Sequence, residues 1–282
     1  MDPHRSSDPF SLARRSVARD ILARHEHRLG RSMGQHLLVD RGVLERILEA
    51  SSVGPADVVL EVGPGIGTLT RALSARSRRV VAVETDKRLR PVLAETMEGL
   101  ENVRVLFMDA LKLTPEDLAP DEPSRLVANL PYNVAATLVL ALLDRLPTVT
   151  GGTVMVQREV GERMAAAPGT KAYGAYTVKL ALRATARPLF SVGPSVFLPP
   201  PRVESAVVGL TRVPPPDGPS LAIITAVVDA AFGQRRKMLR SSLKTLVETP
   251  ETILAKAGID ATLRAEDVPV AGFARLAALL GG

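Results

Sequence analysis

The sequence contains no cysteine and no tryptophan, and aromatic residues make up only 3% of its 282 positions. Without cysteine there can be no disulfide bond, no thiolate metal site and no cysteine nucleophile. No apolar run approaches the length of a membrane span, and the N-terminal residues lack the apolar core of a signal peptide. We therefore expect a cytoplasmic protein that is long enough to bury a large hydrophobic core.

The formal net charge is +6 and the pI is near 10.0. A positive balance favours a polyanionic partner, most simply a nucleic acid, although many proteins without such a partner carry a similar charge. Cysteine is absent and histidine is rare. The four histidines (His4, His25, His27 and His36) show no metal-ligand spacing with carboxylates, so we expect no metal site.

Short apolar runs alternate with helical patterns through the first half of the chain, which predicts a parallel sheet flanked by helices. The clearest unit has a buried strand at 58–62, a glycine-rich turn at 63–67, a helix, and a second strand ending at Glu84. An acid at that strand end is typical of folds that hold the ribose hydroxyls of a nucleotide-type cofactor. A purely structural turn is the alternative interpretation.

The glycines follow the pattern G-x-G-x-G, and no Lys-Ser/Thr pair follows them, so a pyrophosphate is not the expected ligand. Glu61, just before the turn, and Glu84 make this sheet edge acidic. That charge suits a cationic cofactor such as S-adenosylmethionine better than NAD. Asp109 falls at the third strand end, where its carboxylate can accept from an adenine amino group of the cofactor.

A fourth strand, 125–129, ends abruptly in Asn129-Leu130-Pro131-Tyr132. Pro131 stiffens the loop and prevents a direct passage from strand to helix. The Asn129 side-chain oxygen and the Leu130 carbonyl could accept hydrogen bonds from the two N–H groups of an amine on an aromatic ring. Tyr132 could stack on that ring. This corner predicts a site for an extruded adenine or cytosine. The alternative is a strand end with a proline turn and a core tyrosine.

Proline and charge patterns predict the domain organisation, with the clearest linker at the proline-rich stretch before residue 220. For the basic N-terminal segment, an arm on RNA and a solvated tail remain open alternatives. The predicted divisions are a basic N-terminal extension at 1–30, a Rossmann-like domain at 31–213, a Pro-rich linker at 214–219, and a helical C-terminal RNA-binding domain at 220–282.

Nine short motifs occur in a fixed order along the chain: Gly34–Leu38, Glu61–Gly65, Glu84–Asp86, Asp109, Asn129–Asn133, Gln157–Val160, Gly169–Gly174, Phe197–Ser205 and Phe232–Lys237. In this order they resemble the bacterial small-subunit (16S) rRNA adenine N6,N6-dimethyltransferases, the kasugamycin-sensitivity family. Any one motif is weak, whereas nine in sequence are specific. The family usually has Gln-Asn-Phe-Leu where this chain has Gln35-His36-Leu37-Leu38, which removes an aromatic ring at position 37.

The resemblance implies an α/β fold: a Rossmann-like class I S-adenosylmethionine-dependent methyltransferase sheet with a small all-helical C-terminal domain. It implies S-adenosyl-L-methionine as cofactor and N6 of two adjacent adenines near the 3′ end of 16S rRNA as substrate, within the small ribosomal subunit or its precursor. A role in small-subunit maturation and a monomeric enzyme are expected. By position, the cofactor contacts would be His36, Leu38, Gly63, Glu84, Asp109 and Asn129.

The residues Asn129, Leu130, Pro131 and Tyr132 are the expected catalytic corner, and Phe197 could cover the second face of a base stacked on Tyr132. Core packing is the alternative for Phe197. On a helix, Arg236 and Arg240 would share one face, and a solvated helix face is the alternative to RNA contact. The candidate phosphate contacts are Lys171, Arg202, Arg235, Arg236, Lys237 and Arg240.

Three other functions are compatible with parts of the pattern. The macrolide-resistance type of 23S rRNA adenine N6-methyltransferase typically carries Asn-Ile-Pro-Tyr and lacks the segment found here at 169–174, so residue 130 and that segment disfavour it. A ribosome-assembly factor that acts mainly by binding is the second. A small-molecule methyltransferase, the third, is disfavoured by the basic residues and the second domain.

Overall fold

The computed structural model describes residues 8–30 and 35–280. The first seven residues of the predicted extension and Gly34 of the first motif lie outside the described residues. The chain divides into two compact units. The first unit comprises Met1–Gly161 and Arg187–Thr211, and the second comprises Glu162–Ala186 and Arg212–Gly282.

The described residues form strands and helices in a largely alternating order. The strands are β1 (Leu37–Leu38), β2 (Val58–Val62), β3 (Arg79–Glu84), β4 (Val103–Phe107), β5 (Arg125–Asn129), β6 (Gly151–Gln157), β7 (Ala184–Val192), β8 (Phe197–Leu198) and β9 (Ser205–Arg212). The helices are α1 (Arg15–Arg24), α2 (Arg41–Ser51), α3 (Thr68–Ser74), α4 (Arg90–Thr96), α5 (Pro115–Leu118), α6 (Ala135–Arg145), α7 (Arg158–Met164), α8 (Ala175–Ala181), α9 (Leu221–Gly233), α10 (Leu239–Ser242), α11 (Pro250–Lys256) and α12 (Val270–Leu280).

Seven strands form one sheet in the order β4-β3-β2-β5-β6-β9-β7. The contacts β4–β3, β3–β2, β2–β5 and β5–β6 are parallel, and β9 runs antiparallel to β6. Strand β2 is buried along its whole length because helices cover both faces of a parallel sheet, which is why it appears in the sequence as a continuous apolar run. The predicted sheet is confirmed.

The strand order reverses between β2 and β5, since β3 and β4 lie on one side of β2 and β6 lies beyond β5. Open α/β sheets bind their ligands outside the carboxyl ends of the strands at such a switch point. The glycine-rich turn follows β2, and the Asn-Leu-Pro-Tyr corner follows β5. The topology therefore brings together two motifs that are more than sixty positions apart in the sequence.

Helix α1 belongs to the hydrophobic core of the first unit. Its apolar residues Val17, Ala18, Ile21 and Leu22 are buried, and they share a cluster with Leu37 of β1. The apolar positions recur at helical spacing, so one face packs inward while Arg19 and Arg24 are exposed. Residues 8–24 are thus folded onto the unit, and the solvated-tail interpretation does not describe them.

The second unit is built around its own apolar cluster, in which residues from helices α8, α9 and α12 are buried together. Tyr173 lies in this cluster, and its hydroxyl donates to the carbonyl of Val268 over 2.8 Å. Residues 162–186 thus pack with the C-terminal helices, whereas the sequence placed them in the first domain; the predicted boundaries at 213 and 220 stay a prediction. Within the described residues, no helix has the length and apolarity needed to cross a membrane.

The predicted basic helical stripe in the second unit is wrong. Helix α9 ends at Gly233 and α10 begins at Leu239, and residues 234–236 form a turn between them. Arg236 therefore lies in a turn and Arg240 in the next helix, so the i, i+4 rule does not apply to the pair. Glycine is a poor helix former, which is consistent with the helix ending at position 233.

Candidate active site

Two cavities lie at the carboxyl ends of the central strands, with volumes of about 60 and 300 Å³. Gly63, Glu84, Thr85 and Pro131 line both of them. The smaller cavity reaches the catalytic corner and residues 35–37, and the larger one reaches the end of β4. The two cavities therefore form neighbouring parts of one site at the switch point.

The glycine-rich turn is tightly constrained. Gly63 and Gly65 have φ values of +73° and +59°, a backbone conformation that residues with a Cβ rarely adopt. A Cβ at position 65 would also lie 2.6 Å from Cδ2 of Leu37, so the Leu37 side chain would have to shift to accommodate it. Glycine at these positions keeps the backbone exposed to the cavity.

Glu84 and Asp109 end β3 and follow β4, as predicted. Glu84 is buried, and its two oxygens accept from the amides of Asp86 (2.8 Å) and Gly65 (3.4 Å). Burial raises the pKa of Glu84, while these backbone bonds act in the opposite direction. Asp109 is exposed and accepts from the amide of Leu111 over 2.9 Å. Since a carboxylate oxygen has two lone pairs, both side chains can accept further hydrogen bonds from a ligand.

Glu61 does not contribute to the acidity of this edge, contrary to the sequence-based expectation. Its side chain is fully buried in β2, with only 1% exposure, and it is absent from the lining of both cavities. Burial raises its pKa from 4.5 to about 8. At neutral pH Glu61 is therefore mostly protonated, and Glu84 and Asp109 supply the carboxylates that line the site.

Replacing Glu61 with glutamine is expected to flatten the pH dependence of stability. Between about pH 4.5 and pH 8 the unfolded chain has lost the Glu61 proton and the folded protein keeps it, so the free energy of unfolding falls as pH rises. We expect a fall on the order of 2–4 kcal/mol across this window that the Glu61→Gln variant lacks. Urea unfolding at both ends of the window measures it; equal pH dependence in both proteins would contradict the assignment.

The Asn129 side chain is held in one orientation. Its Nδ2 donates to the backbone carbonyl of His36 over 3.0 Å. Because a carbonyl can only accept, this bond identifies which end of the amide is nitrogen, and Oδ1 is the end that can accept a hydrogen bond. The backbone N–H of Leu130 donates to Met155 over 3.0 Å, which fixes the start of the turn. Asn129, Leu130, Gly63 and Gly65 line the same cavity.

Tyr132 is fixed at both ends of its side chain. The hydroxyl is 2.5 Å from Oγ of the buried Ser205, and the ring stacks on His36 with centroids 5.4 Å apart and planes at 28°. Burial raises the pKa of Tyr132. The His36 ring is fixed in turn, because its Nδ1 is 2.7 Å from the carbonyl of Pro199. One face of Tyr132 is thus covered by His36, and base stacking on the other face stays a prediction.

Phe197 does not offer a second face to a base in this structure. Its side chain is completely buried within the main core cluster, which corresponds to the core-packing alternative. Its backbone pairs with Leu38 in a two-stranded sheet, where Leu37 pairs with Leu198. The Leu38 side chain is likewise buried and does not line either cavity, so a contact between residue 38 and a cofactor remains a prediction.

Five of the six predicted phosphate contacts lie in the second unit, and Arg202 lies in the first. Arg235 is engaged within the fold: its guanidinium donates to the Glu266 carboxylate (2.9 Å) and to the carbonyls of Lys171 (2.8 Å) and Tyr173 (3.3 Å). These bonds hold the 169–174 loop in place. The other predicted contacts have exposed side chains: Lys171, Arg202, Arg236, Lys237 and Arg240.

Sequence reasoning missed several residues that build the site. Leu29, Gln35, Thr85 and Leu89 line the smaller cavity, and Ser205 holds the tyrosine. Gln35, Thr85 and Ser205 lie within the quoted motifs, which offered a signal. Leu29 and Leu89 lie outside the quoted motifs, and an isolated leucine looks like any core residue in the sequence.

The site suits a cationic nucleoside cofactor. The glycine turn leaves bare backbone beside the cavity, Glu84 and Asp109 offer acceptors at successive strand ends, and the larger cavity is walled by apolar residues such as Met108 and Leu111. Together with the sheet order and the corner after β5, these features define a class I S-adenosylmethionine-dependent methyltransferase.

The sequence model described as "Ribosomal RNA adenine dimethylase" matches residues 26–281, and the chain belongs to this family. The enzyme is therefore an S-adenosylmethionine-dependent rRNA adenine dimethyltransferase. The chain is 45% identical over 269 residues to the ribosomal RNA small subunit methyltransferase A of Phenylobacterium zucineum, covering 95% of this chain and 94% of the relative. It is 46% identical to the protein of the same name from Thermobifida fusca, covering 88% of each.

Two solved structures share the fold. The dimethyladenosine transferase from Plasmodium falciparum superposes with a TM-score of 0.74 at 24% identity, over 86% of this chain and 96% of that one. The 23S rRNA methyltransferase ErmE superposes with a TM-score of 0.67 at 28% identity, over 87% of this chain and 100% of that one. Identity to the small-subunit methyltransferases is clearly higher than to ErmE, which supports the dimethyltransferase over the macrolide-resistance alternative.

Proposed function

We propose that this protein dimethylates N6 of two adjacent adenines near the 3′ end of 16S rRNA, as a cytoplasmic monomer acting on the small ribosomal subunit or its precursor. The names of the relatives support the small subunit as the substrate. The observation that carries the proposal is the oriented Asn129 amide, which lines the same cavity as the glycine turn. An acceptor for the substrate amine and the backbone of the cofactor turn thus border one space.

The residues that would hold the cofactor are arranged along the two cavities. Glu84 would accept the ribose hydroxyls, Asp109 the adenine amino group, and Gly63 would let the backbone approach closely. His36 lines the smaller cavity beside the corner. When bound, S-adenosylmethionine supplies an electrophilic methyl group on its sulfonium.

The corner prepares the substrate nitrogen. The exocyclic amine of adenine is a poor nucleophile because its lone pair is delocalised into the ring. The Asn129 side-chain oxygen and the Leu130 carbonyl accept hydrogen bonds from its two N–H groups. These bonds favour a pyramidal nitrogen with a localised lone pair. Pro131 keeps these acceptors in place, and Tyr132 stacks on the base. After transfer the cationic nitrogen gives its proton to a nearby carbonyl or water, so no strong base is needed.

Incubation with labelled donor and undermethylated small subunits tests the proposal. We expect label in 16S rRNA, at two adjacent adenines that stop primer extension. Label in 23S rRNA alone, or in free nucleosides alone, would contradict it. Naked 16S rRNA as a parallel substrate shows whether the assembled subunit is required.

We propose that exposed basic residues of the second unit contact RNA phosphates. Each phosphate contact adds about 0.7–0.9 to the slope of log affinity against log salt. The double variant Arg236→Gln, Arg240→Gln is therefore expected to reduce that slope by about 1.4–1.8 without changing cofactor affinity. Filter binding over a salt series measures the slope.

The matched control is Lys244→Gln, Lys256→Gln, which removes the same charge from exposed positions of the same unit. Its slope should stay closer to that of the unmodified protein. Equal slopes for the two double variants would mean that only the net charge matters and that Arg236 and Arg240 make no specific contact.

A further inference from the structure

Arg15 connects the N-terminal segment to a part of the chain 180 positions away. It is the first residue of α1, and its Nη2 donates to the carbonyls of Ser195 (2.7 Å) and Phe197 (3.0 Å). A guanidinium is a fixed, permanently charged donor, so it holds two carbonyls of one loop at a defined spacing. These two bonds commit Nη2 of Arg15 to the protein's own backbone.

The rest of the segment is anchored on both sides of Arg15. Leu12 is completely buried, and the apolar face of α1 shares a cluster with Leu37 and Leu198. Arg14 forms a backbone bridge with Asp40, just after β1. The segment is thus packed against both strands of the β1–β8 pair.

That strand pair leads directly to the catalytic corner. Phe197 of β8 pairs with Leu38 of β1. The carbonyl of Pro199, the residue after β8, accepts from Nδ1 of His36 over 2.7 Å. His36 then contacts two residues of the corner: its carbonyl accepts from Asn129, and its ring stacks on Tyr132. Each step in this path is a described contact within the first unit.

We propose that residues 8–24 form a brace for the active site and that Arg15 is a positioning residue for methyl transfer. Arg15 holds Ser195 and Phe197, and thereby strand β8 and its pairing with β1. Through His36, this strand pair sets the orientation of Asn129 and Tyr132. This inference rests on the proposed function of the corner. It assigns the N-terminal segment a role in the transfer step and not in RNA affinity.

The test compares Arg15→Met with Arg19→Met. Arg19 lies one turn further along the same helix and is exposed, so both variants remove the same charge from the same element. We expect Arg15→Met to lower kcat for methylation of undermethylated small subunits at least tenfold, with KM for RNA within twofold of that of Arg19→Met. Arg15→Lys, which can still donate to one of the carbonyls, should recover part of kcat.

Hydrogen exchange provides a readout that does not depend on activity. The amides around Ser195–Leu198 should exchange faster in Arg15→Met and at the unmodified rate in Arg19→Met. Unchanged kcat in Arg15→Met, or an equal loss of RNA affinity and salt slope in both variants, would overturn the brace and favour an RNA arm. If the unmodified protein transfers no methyl group to 16S rRNA, the proposed function fails, and hydrogen exchange alone then decides whether Arg15 holds the loop.

Discussion

Replacing Asn129 with alanine is expected to lower the rate of methyl transfer by about 10²–10³-fold, the loss typical of removing one oriented hydrogen-bonding group from an active site. In the proposed mechanism the amide oxygen accepts from the substrate nitrogen and localises its lone pair, and the bond from Nδ2 to the His36 carbonyl holds the amide in that orientation. Single-turnover transfer from labelled donor to undermethylated small subunits measures the effect.

The Asn129→Asp variant distinguishes the contribution of the acceptor oxygen from that of the bond to His36 that orients it. It keeps an oxygen but loses the donor to the His36 carbonyl, and two oxygens then face each other. We expect its rate to be close to that of Asn129→Ala, with binding to small subunits retained in both. Retained binding without transfer distinguishes catalysis from a role as an assembly factor. A rate within threefold of the unmodified enzyme would contradict the proposed role of Asn129.

Replacing Glu84 with alanine is expected to weaken the binding of S-adenosylmethionine by about 10²-fold or more, because two charge-assisted hydrogen bonds to the ribose, each worth roughly 1.5–3 kcal/mol, would be lost. The carboxylate is already fixed by the amides of Gly65 and Asp86, so it binds without losing side-chain entropy. Titration calorimetry with the cofactor measures the affinity.

Because Glu84 also accepts from the amide of Gly65, removing its carboxylate could lower cofactor affinity indirectly, by disturbing the glycine-rich turn. Glu84→Gln keeps one acceptor and should weaken binding by about tenfold, with a melting temperature near that of the unmodified protein. Glu101→Gln removes the same charge from an exposed position outside both cavities and should leave affinity unchanged. Equal affinity for Glu84→Ala and Glu101→Gln would rule out the ribose contact.

Much of the first unit could be predicted from the sequence because its signals are local. An apolar run bounded by turn residues specifies a buried strand such as β2, and G-x-G followed by a helix pattern specifies the turn after it. The order of these signals also predicted that Gly63, Glu84, Asp109 and Asn129 lie at or just after the carboxyl ends of strands. The cavities lined by these residues agree with that prediction.

The failures came from contacts that no local pattern encodes. Glu61 looked like an acid at the sheet edge, but its burial inside β2 keeps it mostly neutral. Phe197 looked like a stacking residue, and β-pairing with Leu38 places it in the core.

The sequence by itself determined the alternation of strands and helices, the residue types at each strand end, and hence the chemistry that the site can perform. These follow from propensities and hydrophobic periods that act over a few residues. Only the tertiary structure decided how the acceptors are oriented, since the bonds from Asn129 to His36 and from Arg15 to Ser195 join residues 93 and 180 positions apart. Such bonds depend on distances that exist only after the chain has packed.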